Sequence, residues 1–323
     1  MLRILLVKTS SMGDIIHNMP LIHDIRTHYP DAVIDWVVEE SFAEIARLNP
    51  LVNQVMPIAM RRWKHALFSK KTWAEFFAFK RTLQVHNYDA ILDTQGLLKS
   101  AMICHWAKGS SHGANRHTAR EAIAGHLYQH GHDIPTRLHA SVRNRMVGAA
   151  GLGYPMPDTA PVYNLKLSET TLPDGIPANY VMGLHGTARD AKLWPVEYWV
   201  TFGQYLSAQH LSLLLPWGNA SEHQRAQAIA SQVPLAIVLP KMRLTQLATL
   251  LFNAKAAAGV DTGLMHMAVA LKIPTLAIFT DTHIWQAGAY PGADSKAITI
   301  GGKHALPSAT EAIQSMQQLL TPA

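Results

Sequence analysis

Short apolar runs recur along the chain, each closed by a polar turn and followed by apolar positions spaced three and four apart. In the first half the runs Ile4–Lys8, Val33–Val38 and Ala90–Asp93 predict buried strands. The helical period predicts helices over Ile15–His28, Thr72–His86 and Leu97–Trp106. In the second half strands are expected at Tyr180–Leu184, Leu211–Leu215, Ala236–Leu239, Ala256–Val260 and Thr275–Phe279. Helices near Val196–Ser207, Ser221–Ser231, Leu244–Asn253 and Leu264–Leu271 fall between them. Such alternation predicts parallel sheets with helices on both faces, since parallel strands need crossover connections. The stretch Gly151–Pro161 breaks both periods and reads as a linker. The expected fold is therefore two doubly wound α/β domains, 1–160 and 161–323. A last helix lies at about Ala309–Leu320, for which crossing back to the first domain is one expectation. Between Gly109 and Pro135 histidines interrupt every pattern, and no element is assigned there.

Composition narrows the class. With 323 residues and 48% hydrophobic positions the chain can fill two cores, and 15% charged residues is too few for a disordered chain. The single cysteine, Cys104, excludes an internal disulfide and any paired-cysteine zinc or redox site. The opening apolar run is too short for a signal segment, and Asp261 and Lys272 interrupt the longest later one, so no membrane span is expected. The net charge of +6 is amino-terminal: residues 1–165 carry 18 Lys and Arg against 13 Asp and Glu. Seven bases and one acid fall within Arg61–Arg81, a patch suited to an acidic substrate, a nucleic acid or an anionic membrane surface.

Ligands of doubly wound sheets gather where strands end, so the post-strand loops are the candidates. Thr9-Ser10-Ser11-Met12-Gly13-Asp14 joins the first strand to the first helix. Asp14 reads either as an ordinary helix-capping carboxylate or as a general base held ionised by the helix N-terminus. Gly259-Val260-Asp261-Thr262-Gly263-Leu264-Met265-His266 places backbone amides at a helix start, where a diphosphate can bind, with His266 on the same helical face as Gly263. His185–Pro195 supplies the Thr187 hydroxyl and the cations Arg189 and Lys192; Lys192 is either a solvated surface lysine or a counter-charge for a diphosphate leaving group. Glu222, after Pro216-Trp217-Gly218, is a first-turn acid or an acceptor for ribose hydroxyls. Arg61-Arg62-x-Lys64 is a compact cationic cluster suited to phosphate or carboxylate groups. In the following Trp73–Phe79 segment, burial in an amphipathic helix is the plainer reading. No dinucleotide glycine fingerprint, phosphate-loop or zinc-protease motif is present. His112, His117, His126, His130, His132 and His139 share no helical face and no completing acid or cysteine, so no metal is expected.

Taken in order, several segments resemble glycosyltransferase family 9, the heptosyltransferases of the lipopolysaccharide inner core. They are Val7–Asp14, Asp35-Trp36-Val37-Val38-Glu39-Glu40, Arg61-Arg62-Trp63, Asp93–Ser100, Thr118-Ala119-Arg120-Glu121, Leu215-Pro216-Trp217-Gly218 and Asp261-Thr262-Gly263-Leu264-x-His266. The opening and Arg-Arg-Trp favour the first heptosyltransferase branch of the family over the second. The resemblance implies a GT-B fold, two Rossmann-like domains facing a central cleft. It further implies an ADP-heptose donor, a Kdo-lipid A acceptor, inversion at the anomeric carbon and no metal or other cofactor. Under it Asp14 is the general base and Lys192 assists the leaving group. Ser11, Thr187, Lys192, Glu222, Met242, Asp261, Thr262, Gly263 and His266 line the donor site. Arg61, Arg62, Lys64, Arg120 and His139 face the acceptor. Ala188 departs from the family pattern, which carries a second hydroxyl beside Thr187. Domain closure would bring the acceptor hydroxyl between Asp14 and the sugar and exclude water. The protein is expected in the cytoplasm, peripheral on the inner membrane's anionic face, with no nucleic-acid partner. A nucleotide-sugar epimerase and a polyanion-binding module are the rival readings.

Overall fold

In the computed structural model, residues 1–167 and 171–321 are described. The first strand, β1 (Arg3–Val7), is fully buried from Ile4 onward, and its apolar run fits a strand covered on both faces. Around it the first sheet is completed by β2 (Val33–Glu39), β3 (Gln54–Ile58), β4 (Asn87–Asp93), β5 (Lys108–Ala114) and β6 (His130–His132), in the order β3-β2-β1-β4-β5-β6. The second sheet holds β7 (Tyr180–Leu184), β8 (Ser212–Leu215), β9 (Ala236–Val238), β10 (Ala256–Val260), β11 (Thr275–Phe279) and β12 (Ala297–Gly301), in the order β12-β11-β10-β7-β8-β9. Every pairing of these strands is parallel. Each sheet starts at its middle, runs to one edge and returns to build the other. Its strand order therefore reverses beside the first strand, between β1 and β4 and between β7 and β10. The doubly wound α/β class expected from the sequence is the class observed.

Four strands escaped the sequence reading. β5 reads Lys-Gly-Ser-Ser-His-Gly-Ala and β6 His-Gly-His, with too little apolar character to register. Glycine at 113 is a packing requirement, because a Cβ there would lie 2.4 Å from the Tyr128 ring. β3 and β12 are edge strands, half-exposed and weakly patterned.

The chain divides into units Met1–Lys166 and Leu167–Ala323, later than the expected 160/161 boundary. Hydrogen bonds hold the intervening segment to the first unit: Asn49 Nδ2 donates to the Tyr163 carbonyl (3.2 Å), and the Lys166 N–H to the Leu48 carbonyl (2.8 Å). The expected linker begins inside a helix, Ala140–Leu152, which packs on the helix Met12–His28. Their interface buries an ion pair, with Arg145 Nε 2.6 Å and Nη2 3.0 Å from the Asp24 carboxylate. The helix Ala309–Leu320 buries Ala312, Met316 and Leu319 in the second unit's own core, so its packing lies on that sheet.

Candidate functional site

In the second unit the chemistry collects at the reversal between β7 and β10. The β7 loop carries Lys192 at the end of a single 3-10 turn, Asp190–Lys192, and its Nζ lies 2.5 Å from Asp261 Oδ2. Asp261 directly follows β10 and is 9% exposed. The same carboxylate oxygen accepts the Thr282 hydroxyl at 2.7 Å, while Oδ1 lies 3.6 Å from His266 Nε2. Thr187 Oγ1 donates to the Asp261 carbonyl at 3.0 Å, tying the two loops at a second point. Burial pushes the Asp261 carboxyl up, but His266 and Lys192 outweigh it and hold the group well below the usual carboxylate range. An anionic Asp261 thus holds the Lys192 cation beside a helix start.

That helix is Gly263–Ala270, with Thr262 at its N-cap. The Met265 and His266 N–H groups turn back to the Thr262 carbonyl. The preceding amides point outward from the helix end, the geometry that binds phosphate oxygens. Glu222 approaches from the β8 side, in the first turn of the helix Ala220–Ala230. It accepts the Gly218 N–H at 2.6 Å and packs so tightly on Gly186 that a Cβ there would come within 2.8 Å of its carboxyl carbon. Glu222 therefore stands against the loop that carries Thr187. Met242 is half-buried in the loop between β9 and the helix Leu244–Asn253.

In the first unit the reversal lies between β1 and β4. Ser11 caps the helix Met12–His28, and Asp14, in its first turn, accepts the Ser11 N–H at 2.8 Å. The capping reading of Asp14 is thereby realised, yet its side chain keeps 25% exposure. A buried cation, Lys8, sits 3.8 Å from its free oxygen, with Nζ also donating to the Thr94 carbonyl at 2.8 Å. Burial pushes the Lys8 ammonium down, Asp14 pulls it up, and Arg120 and Arg143 nearby push it down again. Gln95 Oε1 accepts the Thr9 and Ser10 N–H groups at 3.1 and 3.3 Å, fixing the loop before Asp14. A cavity of about 610 Å³, lined by Leu97, Leu98, Lys99, Met102 and Glu121, adjoins this loop, since Lys99 Nζ donates to Ser10 Oγ at 3.4 Å.

The remaining expected residues divide. Arg120 is exposed near Lys8 and Arg143. Arg61 lies over the Phe42 ring, and its N–H binds Glu39. Arg62 is taken up by two acids, paired through Nε and Nη2 with Glu40 and through Nη1 with Glu75 at 2.7 Å. Lys64 is exposed at the end of the same short helix. His139 caps the helix Ala140–Leu152 through Nδ1 and meets the buried His17 ring edge-on. Of the histidine group, His112, His130 and His132 stack across β5 and β6, and burial with its neighbours pushes His112 down to about 4. Among the described residues no three His, Cys, Asp or Glu are placed to hold a metal ion.

Sequence reasoning assigned no site role to Lys8, Gln95, Arg143 or Thr282. Thr282 lies just after β11 and Gln95 just after β4, so the rule that selected the other loops would also have reached them.

Residues 76–318 match the sequence profile of glycosyltransferase family 9 (heptosyltransferase). Lipopolysaccharide heptosyltransferase 1 of Escherichia coli K12 is 40% identical over 290 residues, covering 90% of this chain and 91% of that protein. The solved structure of the E. coli heptosyltransferase WaaC with ADP superposes with a TM-score of 0.89 at 38% identity, covering 98% of this chain and 100% of that one. The same enzyme with ADP-2-deoxy-2-fluoro heptose gives 0.83 at 37% identity, covering 98% and 99%.

Proposed function

The chain belongs to glycosyltransferase family 9, and from that premise we propose that it transfers heptose from ADP-heptose to a Kdo residue of Kdo-lipid A, inverting the anomeric carbon. The observation that carries this reading is the Lys192–Asp261–Thr187 constellation at the β7/β10 reversal. The relatives solved with ADP and with an ADP-heptose analogue have the same fold as this chain, at 38% and 37% sequence identity.

The donor's diphosphate binds at the Thr262–Gly263 helix start and takes the Lys192 ammonium as its counter-charge. Asp261 holds that ammonium until then, and Thr282 keeps the carboxylate oriented. Glu222 accepts ribose hydroxyls, while Met242, Ser11 and His266 complete the donor contacts. Asp14 accepts the proton of the attacking Kdo hydroxyl. The Ser11 cap keeps one carboxylate oxygen engaged and the group oriented, while Lys8 faces the other. A weak base suffices where the transition state is oxocarbenium-like, because the nucleophile loses its proton late. Arg61, Lys64 and Arg120 hold the acceptor's anionic groups, with His139 beside them. Arg62 reaches them by exchanging its two carboxylate partners for phosphate or carboxylate of the acceptor. This acceptor places the enzyme peripherally on the cytoplasmic face of the inner membrane.

ADP release from ADP-heptose, measured with and without Kdo-lipid A, tests the proposal. Release that requires the acceptor is expected; release indifferent to it would point to hydrolysis or epimerisation and end the transferase reading.

A further inference from the structure

The first unit exposes an apolar edge that its own packing leaves unused. Between the short helix Met60–Lys64 and the helix Lys70–Leu83 the chain makes a tight turn, with the Ser69 N–H donating to the Ala66 carbonyl at 3.0 Å. At that turn Phe68 is 103% exposed and Leu67 56%. Trp73 is 50% and Phe77 49% exposed, and their four-residue spacing puts them on one stripe of the helix. The opposite side of this helix supplies the core with Phe79 and Leu83. The indole of Trp73 donates to the Leu67 carbonyl at 2.9 Å, so turn and helix form one preorganised edge.

Charge identifies what this edge meets. Lys64, Lys70 and Lys71 are exposed around it, and among the described residues none of them enters an ion pair. The one acid of the segment, Glu75, is occupied by Arg62 and the Trp63 indole. Water-exposed aromatics ringed by uncompensated lysines suit the headgroup layer of an anionic bilayer. Rings enter the acyl boundary there while the ammonium groups stay with lipid phosphates. A second protein surface fits less well, because lysine is depleted at protein interfaces.

We propose that Leu67, Phe68, Trp73 and Phe77, flanked by Lys70 and Lys71, form the edge that inserts into an anionic membrane surface. This deepens the acceptor reading above: the same short segment carries Arg61, Arg62 and Lys64, so insertion would hold those cations at headgroup height, where a lipid-linked acceptor presents its sugars.

Co-sedimentation with vesicles of phosphatidylcholine alone, and of phosphatidylcholine with phosphatidylglycerol, tests this without donor or acceptor, so its outcome does not depend on the catalytic reading. The wild-type protein should bind the anionic vesicles and not the neutral ones. Phe68→Ser, at a position without packing to lose, should lower binding by about tenfold or more, and Lys70→Glu with Lys71→Glu by a similar factor. Circular dichroism spectra and unfolding midpoints should be unchanged in both variants, which shows that they fold. Wild-type protein that ignores anionic vesicles, or Phe68→Ser binding them as wild type does, would overturn the proposal. So would sedimentation velocity showing a dimer that Phe68→Ser abolishes, since the edge would then join two copies.

Discussion

Replacing Lys192 with methionine keeps an unbranched four-atom stem and removes the ammonium. Asp261 Oδ2 then loses a partner at 2.5 Å and keeps the Thr282 hydroxyl at 2.7 Å, with His266 Nε2 3.6 Å from its other oxygen. A hydrogen bond to a charged group is worth about 1.5–3 kcal/mol net. Because the Lys192 side chain is 20% exposed and that of Asp261 9%, solvent screening places the loss near the low end, at about 1.5 kcal/mol. ADP binding should suffer separately, since the ammonium that Asp261 releases is the one the diphosphate receives. Losing that charge-assisted contact should weaken ADP by roughly 10- to 100-fold, equivalent to about 1.4–2.8 kcal/mol. Calorimetric titration with ADP at fixed ionic strength reads the second effect, and denaturant unfolding without ADP reads the first. A destabilised Lys192→Met protein with wild-type ADP affinity would refute the argument, leaving Lys192 as a clamp for Asp261 and nothing more.

Acid sensitivity should follow from the same pair. Asp261's folded carboxyl lies below its unfolded value of about 3.9, so its stabilisation is complete above that pH and is lost as pH falls through the lower folded value. Lys192→Met should accordingly move the acid limb of unfolding to higher pH, followed by circular dichroism; an unmoved limb contradicts the assignment. Asp14→Asn should lower kcat by about 10²- to 10⁴-fold with ADP affinity intact, in steady-state assays paired with titration. Equal losses in both would make Asp14 a donor-site residue instead of the base. Arg145→Met strands the Asp24 carboxylate, whose side chain is 4% exposed, and should cost about 3–5 kcal/mol in denaturant unfolding; a cost below about 1 kcal/mol would mean the pair is hydrated.

How much of this was legible in the chain depended on burial. β1, β7, β10 and β11 are covered on both faces and appear as unbroken apolar runs, so their loops could be located and Asp14, Thr187 and Asp261 placed at strand ends. β5 and β6 are specified differently. Glycines and histidines there fit around Tyr128 and against one another, a steric relation with no periodic trace. The partners within the sites were hidden for a related reason. Thr282 reaches Asp261 across 21 positions, and Gln95 reaches Thr9 across 86, through sheet pairings that a linear pattern does not encode. Arg62 shows the converse. Its charge was visible, but its engagement by Glu40 and Glu75 appears only when β2 brings Glu40 alongside.

The β1–β4 neighbour relation also sets a timetable for synthesis. Leu6 pairs with Leu92, and Lys8 Nζ reaches toward Asn144 Oδ1 at 3.5 Å. The strand made first therefore stays half-paired until β4 leaves the ribosome, and the lysine behind Asp14 lacks its full set of neighbours until most of the first unit has emerged. Long-range parallel pairing of this kind is slow and leaves unpaired edges open meanwhile. A nascent chain halted before residue 87 would leave one edge of its central apolar strand unpaired, and such truncated products should depend on chaperones for solubility far more than the finished enzyme does.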